Sequence, residues 1–193
     1  ALLPRLGGPN PPYVIEDTVY DAEGQVVARI DGNGNRSEFS YDALSRVRET
    51  REAVGTMQLA VTRFGYDAAG NRTRILGPRS WIAPGGSQPI VTELSYTGRN
   101  LLARVVEAVG TPEETVVREL AYTPTGKVAS EWDANQAGKP PADPTRRATT
   151  YAYGGCCDHL RSVTDAADFE TIFVYDAVGN RTEVVDPLGH RTQ

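Results

Sequence analysis

Tyr-Asp occurs four times along this chain, at Tyr20-Asp21, Tyr41-Asp42, Tyr66-Asp67 and Tyr175-Asp176. Three copies continue as Tyr-Asp-x-x-Gly, ending on Gly24, Gly70 and Gly179, while the fourth has Ser45 at that place. Looser copies begin at Tyr96, Tyr122 and Tyr153, giving seven anchors spaced 21, 25, 30, 26, 31 and 22 residues apart. Self-similarity at this period marks a repeat architecture, in which each unit is one supersecondary element and neighbours bury what a single unit cannot.

The shortest unit shows the plan. Residues 20–24 read as a turn, 25–30 as a strand, 31–34 as a second turn and 35–41 as a second strand. The last unit repeats it, with a turn at 176–179, a strand over 180–185 and the turn Asp186-Pro-Leu-Gly189. Longer spacings fit the same unit with its second turn enlarged. Residues 81–89 and 135–144 are rich in Pro and Gly, as surface loops are. The expected fold is all-β, a strip of antiparallel hairpins with about twelve to fourteen short strands. The expected organisation is an irregular segment, 1–13, then about seven units over 14–193, the last ending mid-repeat.

Each letter of the repeat has a physical reason. Asp in the first turn position accepts a hydrogen bond from the backbone two residues on. Gly three residues later takes the left-handed conformation that closes a bulged hairpin without a Cβ clash. The residues two before the anchors are Phe39, Phe64, Leu94, Leu120, Tyr151 and Phe173, with Thr18 the exception. Residues two apart in a strand share a face, so anchor and neighbour should form a stripe stabilised by cross-strand aromatic stacking. By the same alternation Val26, Ala28 and Ile30 should share one face.

The chain has 20 Lys+Arg against 25 Asp+Glu, a net charge of −5, which argues against electrostatic capture of nucleic acid or an anionic membrane. No run approaches the roughly 18 apolar residues of a membrane helix. The N-terminus shows no signal peptide and no initiator Met, and the C-terminus stops inside the pattern, so both ends read as cut. Strands near 14–20 and near the C-terminus would then be unpaired edges, and copies are expected to self-associate through them. Cys156 and Cys157 are adjacent, with Cα atoms about 3.8 Å apart against the usual disulfide span of about 4.4–6.8 Å. They read as small hairpin residues, a strained vicinal disulfide, or part of a metal site with Asp158 and His159.

The string from Tyr175 to Thr192, Tyr-Asp-Ala-Val-Gly-Asn-Arg-Thr-Glu-Val-Val-Asp-Pro-Leu-Gly-His-Arg-Thr, resembles the YD repeat of RHS proteins. So does Tyr66-Asp-Ala-Ala-Gly-Asn-Arg-Thr73, and the resemblance runs over roughly residues 14–193. The family includes bacterial Rhs polymorphic toxins, shell components of insecticidal toxin complexes, and the teneurins. The resemblance implies a strip of β-hairpins spiralling into a hollow shell that encloses or delivers a toxin. It implies the remainder of that shell and an enclosed toxin domain as partners, and a secreted or cell-surface location. The family's self-cleavage segment and a toxin domain are not evident here, so the chain resembles a middle section.

No catalytic constellation accompanies the repeat, and no enzyme activity or cofactor is expected. His159 and His190 lie outside any His-Glu-x-x-His or nucleophile-elbow context, and no phosphate-binding glycine loop is present. Asp21, Asp42, Asp67, Asp176 and Asp186 are turn residues by repeat position. Asp31, Asn33 and Asn35 offer oxygen ligands at alternate positions, as a calcium loop does, although Arg36 stands where an EF-hand loop needs glycine. The competing reading is an extracellular glycan- or protein-binding adhesion module, with Trp81 and Trp132 as candidate sugar platforms.

Overall fold

The computed structural model describes residues 16–78, 90–154 and 158–193. The chain divides into two compact units, Ala1–Val91 and Thr92–Gln193. The first holds β1 (Glu16–Tyr20), β2 (Val26–Asp31), β3 (Arg36–Tyr41), β4 (Val47–Glu52), β5 (Ala60–Tyr66) and β6 (Arg72–Leu76). Each of these pairs antiparallel with the next in chain order. The second holds β7 (Val91–Tyr96), whose first residue falls on the boundary, β8 (Leu102–Glu107), β9 (Thr115–Tyr122), β10 (Val128–Asp133) and β11 (Thr149–Gly154). It continues with β12 (His159–Thr164), β13 (Glu170–Tyr175), β14 (Arg181–Val185) and β15 (Arg191–Thr192). These too pair antiparallel, each with its successor. The fold is all-β, built from antiparallel hairpins.

The sequence explains the meander. Every anchor Tyr except Tyr153, which Gly154 follows in β11, ends a strand, and a tight Asp- or Thr-led turn follows most of them, so the chain reverses before it can cross over. Opposite the anchor the partner strand carries one extra residue. Tyr20 pairs with Val26 but Val19 with Ala28, Tyr41 with Val47 but Ser40 with Glu49, and Tyr66 with Arg72 but Gly65 with Arg74. Two residues facing one is a β-bulge. The bulge corrects the strand alternation expected above. Tyr20 and Val19 point to opposite faces, so their partners Val26 and Ala28 do as well, and the unpaired Val27 breaks the period of two.

The strip has little core of its own. Among the described residues the buried apolar ones are Ala28, Val91, Val116 and Ala137, and no large side chain is fully buried. On the face opposite the anchors, ion pairs replace apolar packing. Glu49 sits between Arg51 and Arg63, at 2.7 and 2.6 Å. The Arg63 hydrogen bond, more than any other influence, holds the Glu49 carboxyl below its ordinary pKa. Glu119 lies between Arg104, at 3.2 Å, and Arg146. Arg146 also covers the ring of Trp132, with its guanidinium 4.5 Å from the centroid. That leaves Trp132 a poor sugar platform on that side. Trp81, the Cys156–Cys157 pair, segment 1–13 and the enlarged turn 81–89 lie outside the described residues.

Candidate functional site: the joints between repeats

The turn after each Tyr-Asp anchor is closed by one carboxylate. Asp42 Oδ1 accepts the backbone N–H of Leu44 at 2.9 Å and of Arg46 at 3.0 Å, and Oδ2 accepts the Arg46 side chain at 2.7 Å. Asp176 does the same for Val178 N, Asn180 N and Asn180 Nδ2 at 3.0, 2.8 and 3.0 Å. Asp67 accepts Asn71 N and Nδ2 at 2.8 and 2.9 Å, and Asp21 accepts the amides of Glu23 and Gln25 at 3.1 and 2.8 Å. A hydrogen bond from the side chain four residues on is the leading cause that holds Asp42, Asp67 and Asp176 below the ordinary carboxylate pKa. Gly24, Gly70 and Gly179 sit at φ of 81°, 91° and 91°, the left-handed region a side chain resists. Ser45 takes the same conformation at 59°, and in the looser copy at Tyr96 it falls to Asn100, at 60°, and not to Gly98. Thr97 and Thr123 replace the Asp, their hydroxyls accepting the amides of Leu101 and Lys127 at 3.2 and 3.1 Å.

Asp31, Asn33 and Asn35 converge as another such turn. Asp31 Oδ1 accepts the amides of Asn33 and Asn35, both at 2.9 Å, and Oδ2 accepts Asn35 Nδ2 at 2.7 Å. The carboxylate is spent on N–H donors, and the Asn35 amide turns its nitrogen toward it. Asp186 repeats the pattern with the amides of Leu188 and His190, and with His190 Nδ1 at 2.8 Å. These groups form turns.

Between one repeat and the next, the backbone ladder stops short. β2 and β3 last pair at Ala28–Glu38, and β4 and β5 at Glu49–Arg63. β8 and β9 stop at Arg104–Glu119, and β10 and β11 at Ser130–Thr150. In each case the carbonyl two residues further along is taken by the next anchor's hydroxyl. Tyr41 Oη donates to Val26 O at 2.7 Å, Tyr66 to Val47 O at 2.7 Å, Tyr122 to Leu102 O at 2.5 Å and Tyr153 to Val128 O at 3.0 Å. The phenol thus satisfies a backbone acceptor where the strands part, which a Phe in its place would leave wanting. This role explains why the anchor is a tyrosine.

The aromatic stripe is held by cations. Successive anchors lie two strands apart, about 9.5 Å, beyond the about 4.5–7 Å of a ring pair. The expected ring-on-ring stacking gives way to side chains from the intervening strand. Arg72 lies over Phe64 at 4.4 Å, Arg181 over Phe173 at 5.9 Å and Arg29 over Phe39 at 5.9 Å. Arg46 lies over Tyr66 at 4.4 Å and reaches Asp67 O at 3.3 Å, and Lys127 lies over Tyr153 at 4.9 Å. Arg46 and Lys127 both stand five residues past an anchor, so each ties its own turn to the following repeat. That offset was readable in the sequence once the anchors were aligned, but nothing in a single repeat says which ring the cation meets.

The Tyr175 joint departs from the rule. In the repeat before it, Tyr153 pairs with Leu160, seven residues on, where the other anchors, Tyr175 included, pair six residues on. The added residue brings His159 into pairing with Gly154, and its ring stacks on Tyr175 at 4.8 Å and 16°. β12 and β13 still stop at Ser162–Ile172, but the Tyr175 hydroxyl makes no hydrogen bond among the described residues.

A second recurring turn escaped the sequence reading. Glu-Ala-Val-Gly-Thr occurs at 52–56 and again at 107–111. Ala53 and Ala108 both sit at φ of 54°, and each carbonyl accepts the hydroxyl of its Thr, Thr56 or Thr111, at 2.8 Å. The identical five letters, 55 residues apart, were the signal.

Comparison with known proteins agrees with the geometry. The RHS Repeat family model matches residues 20–57 and 158–191. No curated relative matches the chain by sequence. A crystal structure of TcdB2-TccC3-TEV matches with a TM-score of 0.66 at 20% identity, over 88% of this chain and 9% of that one. A Tc holotoxin pore of Photorhabdus luminescens carrying a TccC3 mutation gives the same values. The likeness is one of fold, and this chain spans about a tenth of those proteins' length. With its Tyr-Asp turns at both ends matched by the family model and its hairpins arranged as in those structures, the chain carries RHS repeats over residues 20–57 and 158–191 and is similar in fold to RHS/YD-repeat shells.

Proposed function

We propose that this chain is a stretch of the wall of an RHS-type shell that encloses or delivers a toxin, with a structural and non-catalytic role. In this reading residues 14–193 form about seven YD units after an irregular segment, 1–13. Tyr20, Asp21, Gly24, Tyr41, Asp42, Tyr66, Asp67, Gly70, Tyr175, Asp176 and Gly179 are its structural residues. Its partners are the remainder of its own shell and an enclosed toxin domain, and it works in a secreted or cell-surface setting. The observation that carries the reading is the joint. At four joints a unit is tied to the one before by a phenol on a backbone carbonyl, and at the Tyr175 joint by a ring stack, so stability is a sum over neighbours and the strip can be extended unit by unit. A wall needs that property, whereas an adhesion module needs a concave site with clustered polar and aromatic groups.

Electron cryomicroscopy of the full-length protein containing this sequence tests the reading. The expected result is a hollow particle with these hairpins as consecutive turns of its wall and density enclosed within. A solid domain packed on both faces of the strip, with no lumen, contradicts it.

A further inference from the structure

We propose that the Tyr175 joint is a pH-sensitive fastening, in which protonation of His159 turns a neutral ring stack into a cation on the face of Tyr175 and tightens the tie between β12 and β13. Register places His159 where other joints carry a permanent cation. Tyr41 pairs with Val47, and Arg46, one residue before that partner, lies over Tyr66 at 4.4 Å. Tyr122 pairs with Val128, and Lys127 lies over Tyr153 at 4.9 Å. Tyr153 pairs with Leu160, and His159 stacks on Tyr175 at 4.8 Å and 16°. The corresponding residues in the Tyr20 and Tyr96 repeats are the uncharged Gln25 and Leu101. Joints therefore occur in a charged and an uncharged form, and an imidazole can be either.

The likeness extends behind the ring. Arg46 Nη1 donates to Asp67 O at 3.3 Å and Lys127 Nζ to Asp158 O, so each cation also reaches the turn after the ring it covers. His159 is aimed the same way. A Cβ at Gly179 would lie 2.9 Å from its Nε2, so that glycine leaves room for the ring edge against the turn after Tyr175. The charges around the imidazole favour a proton there. In that turn Asp176 is held in its ionised form, chiefly by the Asn180 side chain. On its own strand Asp158 precedes it, paired with Lys127 at 3.0 Å, and Arg161 follows, exposed and so screened by water and salt. β11 brings only Tyr153 and Gly154 against it, and on β14 Arg181 lies over Phe173 at 5.9 Å. Imidazole is the side chain that ordinarily gains its charge between about pH 8 and 5, and a cation over a tyrosine face is attracted by the ring quadrupole. The added stability is complete at the acid end of that range and is lost as pH rises through it.

Native-state hydrogen exchange of the full chain, corrected for intrinsic rates, tests the fastening. The readout is the protection of the β12 and β13 amides relative to those of β4 and β5, whose joint carries Arg46. From about pH 8 to about pH 5.5 that ratio should rise about twofold to fivefold, the effect of one exposed cation on an aromatic face. His159→Gln should abolish the rise. His159→Lys should hold the ratio near its acid value at both pH values. His190→Gln should leave the rise intact, because that histidine bonds Asp186 in a different turn. A wild-type ratio that stays flat or falls with acid overturns the proposal, and so does a rise that survives in His159→Gln or disappears in His190→Gln.

Discussion

The joint at Tyr66 and the joint at Tyr175 are built from the same letters and end differently. Both strands close on an apolar neighbour two residues back, Phe64 or Phe173, covered by the arginine of Asn-Arg-Thr. At Tyr66 the hydroxyl takes Val47 O, and Arg46 seals the ring from the other side. At Tyr175 a histidine ring occupies that side and the hydroxyl is idle. The cause lies one repeat earlier. Tyr41 is followed by a carboxylate-clasped turn of fixed length, whereas Tyr153 is followed by Gly154 and a turn one residue longer. The lesson is that the length of a repeat's turn decides how the next repeat is joined to it, while the anchor itself stays unchanged.

The largest break in this comparison should come from removing the rings. Tyr66→Ala should cost about 2–4 kcal/mol, the range for large-to-small aromatic changes. Tyr175→Ala should cost less, since no hydrogen bond is lost and the His159 stack is worth about 0.5–1.5 kcal/mol beyond its area. Urea unfolding of both variants checks this; equal losses would erase the distinction between the joints.

Acid should separate the turns clasped by a carboxylate from those held by a threonine hydroxyl. The folded-state pKa of Asp42, Asp67 and Asp176 is lowered, so their contribution is complete above the ordinary value of 3.8 and is lost as pH falls through the lower folded values. As pH falls below that ordinary value, the amides of Leu44, Arg46 and Asn71 should shift with the titration of their carboxylates. The amide of Leu101, held by the Thr97 hydroxyl, should not follow that titration. A uniform response along the chain would count against the clasp.

A smaller effect, of opposite sign, is expected at the far turn of the Tyr41 repeat. Ala53 holds φ at 54°, where a Cβ is unfavourable, so Ala53→Gly should raise stability by about 0.5–1 kcal/mol. A loss in thermal unfolding would mean the alanine side chain contributes packing that outweighs its strain.

Much of the fold was legible because turn chemistry is local. Asp21, Asp42, Asp67 and Asp176 declare their turns within five residues, and Gly24, Gly70 and Gly179 declare the left-handed position. What was not legible depends on register. Val26 and Ala28 look like same-face residues until the bulge at Val27 is known, because strand alternation counts residues and a bulge adds one. The cations over the rings were hidden for a similar reason. Arg46 meets a ring 20 residues away, and that pairing is set by strand order and not by neighbours in sequence. His159 was read as outside any catalytic motif, or as part of a metal site with Asp158 and the cysteines, since the turn insertion that seats it against Tyr175 is visible only when the pairing is laid out.

The account's central claim is that the anchor hydroxyl replaces the missing rung between repeats. Tyr→Phe removes that oxygen and leaves the ring. Equilibrium urea unfolding of Tyr66→Phe and Tyr175→Phe, in the same chain and buffer, compares a joint that uses the hydroxyl with one that does not. The account predicts a loss of about 1 kcal/mol for Tyr66→Phe, the net worth of one hydrogen bond with its acceptor left unpaired. It predicts a change within about 0.3 kcal/mol for Tyr175→Phe. Equal losses at the two positions, or no loss at Tyr66, would contradict it.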